Sequence, residues 1–362
     1  MTALAILMLT AALAAPAAAP ATAAPVQTVE IVVFSDFQCP FCAQLAEPIR
    51  ALQTTPIDGV QVTVQFKHFP LGIHPRAPLA HQAALAAAEQ HKFWEMHDLL
   101  FANRQRAQRE DLVGYAATLG LDVPRFERDL DSDRIKHAIE ADQAEGARRH
   151  VEATPTFYVN GREYVGARSL AQLKALVEGE RRRTRALTDI GDAMLSRGPA
   201  SAPVTLEIFA DLQSPVSRPA MTVVDAVAAR YPSDVRVVFR NFPLTFHPRA
   251  AAVHEAAMIA ARGNRFWEFA ASLVDHQESV ADTDLVALAG RVGLDQAAFA
   301  DALRDHRYAP RVEADVEDAG RRGVRGSPAI IVNGKRVDGV PSLQTLTGLV
   351  DAALLTHLAK RP

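Results

Sequence analysis

Residues 34–42 read FSDFQCPFC and contain the two cysteines of the chain, Cys39 and Cys42. An apolar, β-branched run at residues 28–34, TVEIVVF, leads into it and predicts a buried strand. Pro40 then predicts the start of a helix, because proline is accommodated at the first helical position. Since positions i and i+3 of a helix share a face, the two sulfurs are expected to lie side by side at a strand-to-helix junction.

The position of Cys39 predicts a reactive thiol. At a helix N-terminus, unpaired backbone N–H groups and the helix dipole stabilise an anion, and the thiolate is the reactive form of cysteine. Cys42 is expected one turn further into the helix, where it would be shielded and would resolve mixed disulfides. A zinc site would need about four ligands, and a purely structural disulfide across so short a loop would constrain the unfolded chain little. The motif therefore predicts a redox-active cysteine pair that needs no metal and no other cofactor.

The remainder of the chain repeats one unit twice. Residues 68–88, HFPLGIHPRAPLAHQAALAAA, match residues 241–261, NFPLTFHPRAAAVHEAAMIAA, at an offset of 173 positions. The cysteine motif is matched by FADLQSPVS at residues 209–217, where Ser214 and Ser217 replace the two cysteines. Because serine cannot take part in thiol–disulfide exchange, the second copy is expected to be redox-inert.

The N-terminus has the pattern of a secretory signal peptide. Residues 4–13, LAILMLTAAL, are apolar but too few to span a bilayer, which needs about 20 residues, and alanines and prolines follow them. The pattern predicts an exported protein, periplasmic or otherwise, that is soluble once the leader is removed. The predicted segments are, in order, a signal peptide at 1–24, an active domain at 26–195, a linker of Gly, Pro, Ser and Ala at 196–203, and a degenerate domain at 204–362.

Charge and composition limit the partners of the chain. Its 39 basic and 42 acidic residues give a formal net charge of −3, whereas domains that hold phosphate backbones are usually strongly basic. Nucleic acid is therefore not expected as a partner. The apolar fraction of 49% and the charged fraction of 22% are typical of a globular protein, and 362 residues allow about two domains.

The element order within each copy predicts an α/β fold. In the first copy, a strand at 60–66 follows the helix of the cysteine motif, and residues 76–150 are typical of several helices. Asn160 and Gly161 then predict the turn of a closing hairpin, and a last helix follows. The order β-α-β, helical insertion, β-β-α predicts a central mixed sheet with flanking helices in each copy.

This combination resembles the DsbA-like branch of the thioredoxin superfamily. The resemblance lies in FSDFQCPFC, the helical insertion and TPTFYVNG at residues 154–161; it covers residues 26–185 and recurs without cysteines in 203–358. It implies two thioredoxin-like domains, of which the first is a thiol–disulfide oxidoreductase. In that family the first cysteine of the motif, here Cys39, attacks or is attacked, and the second, here Cys42, resolves the mixed disulfide.

The resemblance also implies a substrate-binding element. Thr154 stands where the family has the residue that precedes a cis-proline, here Pro155, and pairs with the substrate backbone. In the second copy Ser327 and Pro328 occupy these positions, so a peptide-binding groove is compatible with the sequence there. That domain either binds client protein or packs against the first domain, or it is a degenerate duplicate that only adds stability. Phe41 lies between the cysteines, where the best-known strong oxidants of the family carry histidine, and this leaves the strength of oxidation open.

With the predicted signal peptide, the resemblance implies an exported enzyme that exchanges a Cys39–Cys42 disulfide with cysteines of client proteins. A membrane-bound, quinone-linked partner would then reoxidise it. One alternative is a reductase or isomerase of the same fold. Another is a chaperone-like, peptide-binding protein in which the disulfide is inert.

Asp36, three residues before Cys39, belongs to the active-site motif and has two interpretations. Its carboxylate could relay the proton of the resolving cysteine, or it could satisfy N–H groups at the end of the strand. Asp211 stands at the same position in the copy without cysteines, and this favours the structural interpretation.

Two histidines of the first copy also recur in the second. His74 and His81 return as His247 and His254, so a redox role is not expected for them. Their spacing of seven residues is compatible with two metal ligands on one helix face, but ordinary structural roles are favoured.

Overall fold

The computed structural model describes residues 27–57, 59–277 and 280–359. The predicted signal peptide, residues 1–24, lies outside the described residues. The chain divides into two compact units, Met1–Lys174 and Ala175–Pro362.

The first unit has the predicted order of elements. Its helices and strands are β1 (Gln27–Ser35), α1 (Pro40–Thr54), β2 (Val60–His68), α2 (Ala77–Ala88), α3 (Phe93–Ala102), α4 (Arg109–Thr118), α5 (Val123–Leu130), α6 (Asp133–Arg148), β3 (Thr156–Val159), β4 (Arg162–Val165) and the start of α7 (Leu170–Asp189). The strands form one sheet in the order β2-β1-β3-β4, in which β1 and β2 are parallel and the other neighbours antiparallel. The expectation of a mixed sheet with a helical insertion is confirmed.

The sheet brings two distant chain segments together. Strand β1 leads through a short turn into α1, so the cysteine motif lies at the carboxyl end of β1. Strand β3 pairs with β1 with Thr156 opposite Phe34. The peptide between Thr154 and Pro155, just before β3, therefore lies at the same end of the sheet as the cysteines.

The closing hairpin has the predicted turn. Asn160 and Gly161 have φ angles of 47° and 83°, and two successive left-handed residues are what a two-residue hairpin turn of type I′ requires. Strands β3 and β4 pair directly across this turn, with Val159 opposite Arg162.

The second unit repeats this architecture with one added strand. Its elements are the end of α7, a 3₁₀ helix (Asp192–Leu195), β5 (Ser196–Arg197), β6 (Val204–Ala210), α8 (Ser217–Arg230), β7 (Val235–Asn241), α9 (Ala250–Arg262), α10 (Phe266–Asp275), α11 (Asp282–Arg291), α12 (Gln296–Arg304), α13 (Ala309–Arg321), β8 (Ala329–Val332), β9 (Lys335–Asp338) and α14 (Leu343–Ala359). The strand order is β5-β7-β6-β8-β9. The duplicated sheet expected from the repeat is confirmed.

The boundary between the units differs from the predicted linker at 196–203. The second unit begins at Ala175, and Ile190 and Leu195 are buried in its hydrophobic core. Strand β5, which occupies the start of the predicted linker, pairs antiparallel with β7. The composition of this segment suggested a linker, but its residues are held by long-range pairing and apolar burial, which composition does not reveal.

None of the helices within the described ranges combines the length and the apolar character that a bilayer-spanning helix needs.

A candidate thiol–disulfide active site

The cysteine motif lies where the sequence analysis placed it. Cys39 is the N-cap of α1, and Pro40 is the first residue of the helix. The backbone N–H of Cys39 donates to the carbonyl of Asp36 at 3.1 Å, which closes the turn between β1 and α1. Both cysteines are buried, Cys39 with 4% and Cys42 with 1% of its surface exposed, and in this structure both are free thiols rather than a disulfide.

The surroundings of Cys39 favour its thiolate. The pKa of Cys39 is lowered from 9.0 to about 5. The main cause is a hydrogen bond from the Cys42 thiol, and burial opposes it. The Thr154 hydroxyl and the backbone N–H groups of Cys42 and Phe41 lower this pKa further. The thiol of Cys39 also lies 3.4 Å from the carbonyl oxygen of Thr154. The N–H groups of Phe41 and Cys42 are ones that a helix start leaves unpaired, so the predicted stabilisation of an anion is present, but the Cys42 thiol contributes more to it.

The surroundings of Cys42 favour the protonated thiol. Burial is the main cause that raises the pKa of Cys42, and its hydrogen bond to Cys39 raises it further. The Ser35 hydroxyl and the backbone N–H of Asp36, which donates to Cys42 Sγ at 3.4 Å, oppose this only in part. The pair is therefore asymmetric, with one ionised and one protonated sulfur at neutral pH.

The expected cis-proline is present beside the cysteines. The peptide bond between Thr154 and Pro155 is cis, and Thr154 is buried with 8% of its surface exposed. Its hydroxyl has no hydrogen-bond partner of ordinary geometry among the described residues. In contrast to these buried residues, Phe41 is 57% exposed. An apolar side chain therefore lies at the surface between the two cysteines in sequence.

The carboxylate of Asp36 is fully buried, and it accepts hydrogen bonds from the surrounding loops. It accepts hydrogen bonds from the backbone N–H groups of Gln38 and Leu71, both at 2.7 Å, and lies 2.8 Å from His74 Nδ1. In the second copy, the carboxylate of Asp211 has the corresponding three partners. They are the N–H of Gln213 at 2.8 Å, the N–H of Leu244 at 2.9 Å and His247 Nδ1 at 2.7 Å. The same arrangement without cysteines supports the structural interpretation of Asp36.

The two recurring histidines do not lie together. His74 contacts Asp36, whereas His81 Nδ1 lies 2.7 Å from the Nδ1 of buried His68. In the ranges 27–57, 59–277 and 280–359, no group of three or more His, Cys, Asp or Glu side chains could hold a metal ion.

The second copy keeps the backbone of the site but ties its hydroxyls into local hydrogen bonds. Ser217 donates to the carbonyl of Asp211 at 2.5 Å, and Ser327 accepts from the N–H of Asp211 at 2.7 Å. The peptide between Ser327 and Pro328 is cis, as in the first copy. Helix α8 begins only at Ser217, so Ser214, which replaces Cys39, does not cap a helix.

Sequence reasoning missed two residues near Cys42. Ser35 lowers the pKa of Cys42, and His97 lines the same small cavity as Cys42. A signal was available in the repeat, because the second copy has Ala210 and Ala270 at these positions.

Comparison with known proteins agrees with this geometry. A family model described as Thioredoxin matches residues 21–179 and again residues 191–352. Among curated proteins, the Na(+)/H(+) antiporter NhaA 3 of Salinispora tropica is 43% identical over 150 residues, which are 41% of this chain and 22% of that protein. The Na(+)/H(+) antiporter NhaA of Herminiimonas arsenicoxydans is 39% identical over 155 residues, 43% of this chain and 24% of that protein. The chain thus spans less than a quarter of the length of these relatives.

Three solved structures illustrate what this chain is similar to. Oxidised BdbD from Bacillus subtilis has a TM-score of 0.43 and 19% identity, covering 47% of this chain and 95% of its own. A thioredoxin-like oxidoreductase from Silicibacter pomeroyi DSS-3 has a TM-score of 0.40 and 26% identity, covering 44% and 91%. DsbA from Xylella fastidiosa has a TM-score of 0.37 and 22% identity, covering 45% and 90%. From the two matches to the family model, the chain belongs to the thioredoxin family, as two thioredoxin domains in tandem of which the second has no cysteines.

Proposed function

We propose that the first domain exchanges the Cys39–Cys42 disulfide with cysteines of client proteins through a mixed disulfide. The observation that carries this proposal is the asymmetry of the pair. The pKa of Cys39 is lowered to about 5, chiefly by the hydrogen bond from Cys42, and the pKa of Cys42 is raised by burial. An inert structural disulfide has no need of one stabilised thiolate and one shielded thiol.

The exchange has two steps. When the oxidised protein acts on a client dithiol, a client thiolate attacks Cys39 Sγ, the Cys39–Cys42 bond breaks, and Cys42 leaves as a thiolate that takes up a proton. A second client thiolate then attacks the client sulfur of the mixed disulfide, and Cys39 leaves as a thiolate. The client loses two electrons, and the cysteine pair gains them.

The stabilised thiolate favours the oxidising direction. At pH 7, a pKa of about 5 in place of 9.0 favours the reduced form about 100-fold, which corresponds to about 60 mV of reduction potential. A thiol-reductase or isomerase is the alternative that the sequence left open. Equilibration of the pair in glutathione buffers separates them, since strong disulfide donors lie near about −120 mV and reductases near about −270 mV.

The location and partners of the enzyme are part of the proposal. The apolar run at residues 4–13 and the small residues after it support export. For this location we propose cysteine-containing client proteins as substrates and a membrane-bound redox partner that restores the disulfide. Because the chain spans less than a quarter of the curated relatives, the antiporter activity in their names is not carried over to it.

The test is capture of a client. A Cys42→Ser variant leaves Cys39 able to form the mixed disulfide but unable to resolve it. With a peptide that carries one activated cysteine, the variant is expected to form a stable one-to-one adduct at Cys39, visible by mass spectrometry and lost on reduction. A Cys39→Ser variant, in which only the shielded sulfur remains, is the matched control and is expected to form none. Absence of the adduct in Cys42→Ser would favour the peptide-binding alternative.

A further inference from the structure

Cys42 shares a small buried cavity with a histidine. The polar residues that line this cavity are Ser35, Cys42 and His97, and the rest of its wall is apolar. Its volume is about 10 Å³ for the centre of a water molecule, which is close to the space that one water needs. His97 belongs to α3, which packs against α1, the helix that carries Cys42.

A hydrogen bond connects the buried ring of His97 with a half-exposed carboxylate. Its Nδ1 lies 2.8 Å from Asp98 Oδ1, and Asp98 Oδ2 accepts a hydrogen bond from Arg50 Nε at 3.3 Å. The side chain of Asp98 is 50% exposed, whereas that of His97 is 3% exposed. An ionised carboxylate can only accept hydrogen bonds, so His97 donates its Nδ1–H to Asp98, and Nε2 is left as the basic atom of the neutral ring.

The imidazole is held in place by aromatic rings. The centroid of the His97 ring lies 5.5 Å from that of Phe66 and 4.8 Å from that of Phe101, with both pairs close to perpendicular. Because the His97 ring is in contact with two aromatic rings and is hydrogen-bonded to a carboxylate, it has little freedom to move away from the cavity wall.

In the internal repeat, His97 and Asp98 behave differently from the other residues around the cysteine motif that were considered above. At the offset that aligns KFWE at 92–95 with RFWE at 265–268, His97 and Asp98 correspond to Ala270 and Ala271. By contrast, Asp36, His74 and His81 all recur in the second copy. The copy that has lost its cysteines has therefore also lost this histidine and its carboxylate.

The protonation states of His97 and Cys42 are those that a proton transfer from the thiol to the imidazole requires. Burial is the main cause that lowers the pKa of His97, and the contact with Asp98 opposes it. The other charged or titratable groups that act on or near this ring are Arg50 on α1, His68 on β2 and Cys42. At neutral pH the imidazole is therefore neutral and able to accept a proton, while burial keeps Cys42 protonated.

We propose that His97, oriented by Asp98, is the acid–base group that exchanges a proton with Cys42 when the Cys39–Cys42 disulfide forms and opens. The inference rests on the proposed thiol–disulfide exchange. When the disulfide forms, the Cys42 proton passes to His97 Nε2 through one water in the shared cavity. The Cys42 thiolate attacks Cys39 Sγ, and the partner sulfur leaves with the electron pair. When the disulfide opens, His97 returns the proton to the departing Cys42 sulfur.

The test separates the two steps of one reaction. Reduced protein is mixed with dithiobis(nitrobenzoate) in a stopped-flow instrument. Attack by Cys39 releases one coloured thionitrobenzoate, and attack by Cys42 on the resulting mixed disulfide releases a second. The first release reports on the proposed function, and the second reports on the relay.

In a His97→Gln variant the first release is expected to keep its rate and the second to slow by about 100-fold at neutral pH, the lower end of what general base catalysis contributes. As the pH increases, the rate of the second release from the wild-type protein is expected to level off above the pKa of His97. The rate of the second release from His97→Gln is expected to rise about tenfold per pH unit, because only hydroxide remains as the base. Asp98→Asn, a change at a half-exposed side chain, is expected to slow the second release by a smaller factor and serves if His97→Gln does not fold. His137→Gln, an exposed histidine on α6, is the control.

An unchanged second release in both variants would overturn the relay, as would equal slowing of both releases, which indicates a structural role. Absence of the first release from the wild-type protein would instead overturn the proposed function, and the relay with it.

Discussion

The lowered pKa of Cys39 predicts how the rate of its reaction with an alkylating reagent depends on pH, and not how large that rate is at a single pH. A fall of the pKa from 9.0 to about 5 raises the thiolate fraction at pH 7 about 100-fold. The intrinsic nucleophilicity of a thiolate, however, falls with its basicity, with a Brønsted coefficient of about 0.4–0.5, and this lowers the rate by a factor of about 40–100. The two effects nearly cancel, so a single rate measured at pH 7 does not distinguish a perturbed from an ordinary thiol.

The rate constant for alkylation of reduced Cys39 by iodoacetamide is therefore expected to rise near pH 5 and then to stay constant from about pH 6 to pH 8. An ordinary thiol gains about tenfold per pH unit over that range. The assay is mass spectrometry of the Cys39 peptide after timed alkylation. Cys42 is not expected to compete, because burial keeps it protonated and shielded.

Two variants test the cause of the lowered pKa. Cys42→Ala removes the hydrogen bond that contributes most to it, and its profile is expected to move to higher pH. Cys42→Ser keeps a hydroxyl donor and is expected to move less. A tenfold rise per pH unit between pH 6 and pH 8 in the wild-type protein would contradict a lowered pKa of Cys39, and identical profiles for the wild type and Cys42→Ala would contradict the hydrogen bond from Cys42 as its cause.

Three further predictions concern the potential and the stability of the domains. Because one sulfur of the reduced pair stays ionised between about pH 5 and pH 9, the reduction potential is expected to fall by about 30 mV per pH unit in that window and by about 60 mV below it; equilibration with glutathione measures this, and a slope of 60 mV throughout would contradict the ionised thiol. Asp36→Ala and Asp211→Ala each remove an acceptor of three buried contacts and are expected to lower the free energy of unfolding of their own domain by about 2–4 kcal/mol. Urea titration measures it, and a loss in only one domain would argue against a shared structural role. Gly146→Ala would place a Cβ 2.5 Å from the ring of Phe69 and is expected to destabilise the first domain by about 1–3 kcal/mol. Gly114→Ala, in open space within α4, is the control and is expected to be neutral or stabilising.

Much of the fold was predictable because its signals are local. The helix start at Pro40, the turn at Asn160 and Gly161, and the order of strands and helices all follow from residues close together in the chain. The position of Thr154 beside Cys39 followed from the family resemblance, since only strand pairing brings these segments together.

The features that were missed depend on packing between distant elements. His97 reaches the cavity of Cys42 because α3 packs on α1, and no spacing within either helix indicates this. The partners of the Asp36 carboxylate include the N–H of Leu71, which is likewise brought close by tertiary structure. Residue-by-residue comparison of the two copies would have placed His97 among the histidines that do not recur, together with His68 and His91, but only the packing of α3 on α1 brings it to Cys42.

The early start of the second unit has a consequence for how the chain can be cut. Arg311 is 4% exposed, and its guanidinium donates to the carbonyl of Ile190 at 3.0 Å and pairs with Asp192 at 3.1 Å. A fragment that begins at residue 204 would lose both partners and strand β5, and the buried guanidinium would keep only its ion pair with Asp315 at 2.5 Å. Deletion of the residues before 204 is therefore expected to lower the free energy of unfolding of the second domain, so residues 196–203 do not mark a place where the chain divides into two intact domains.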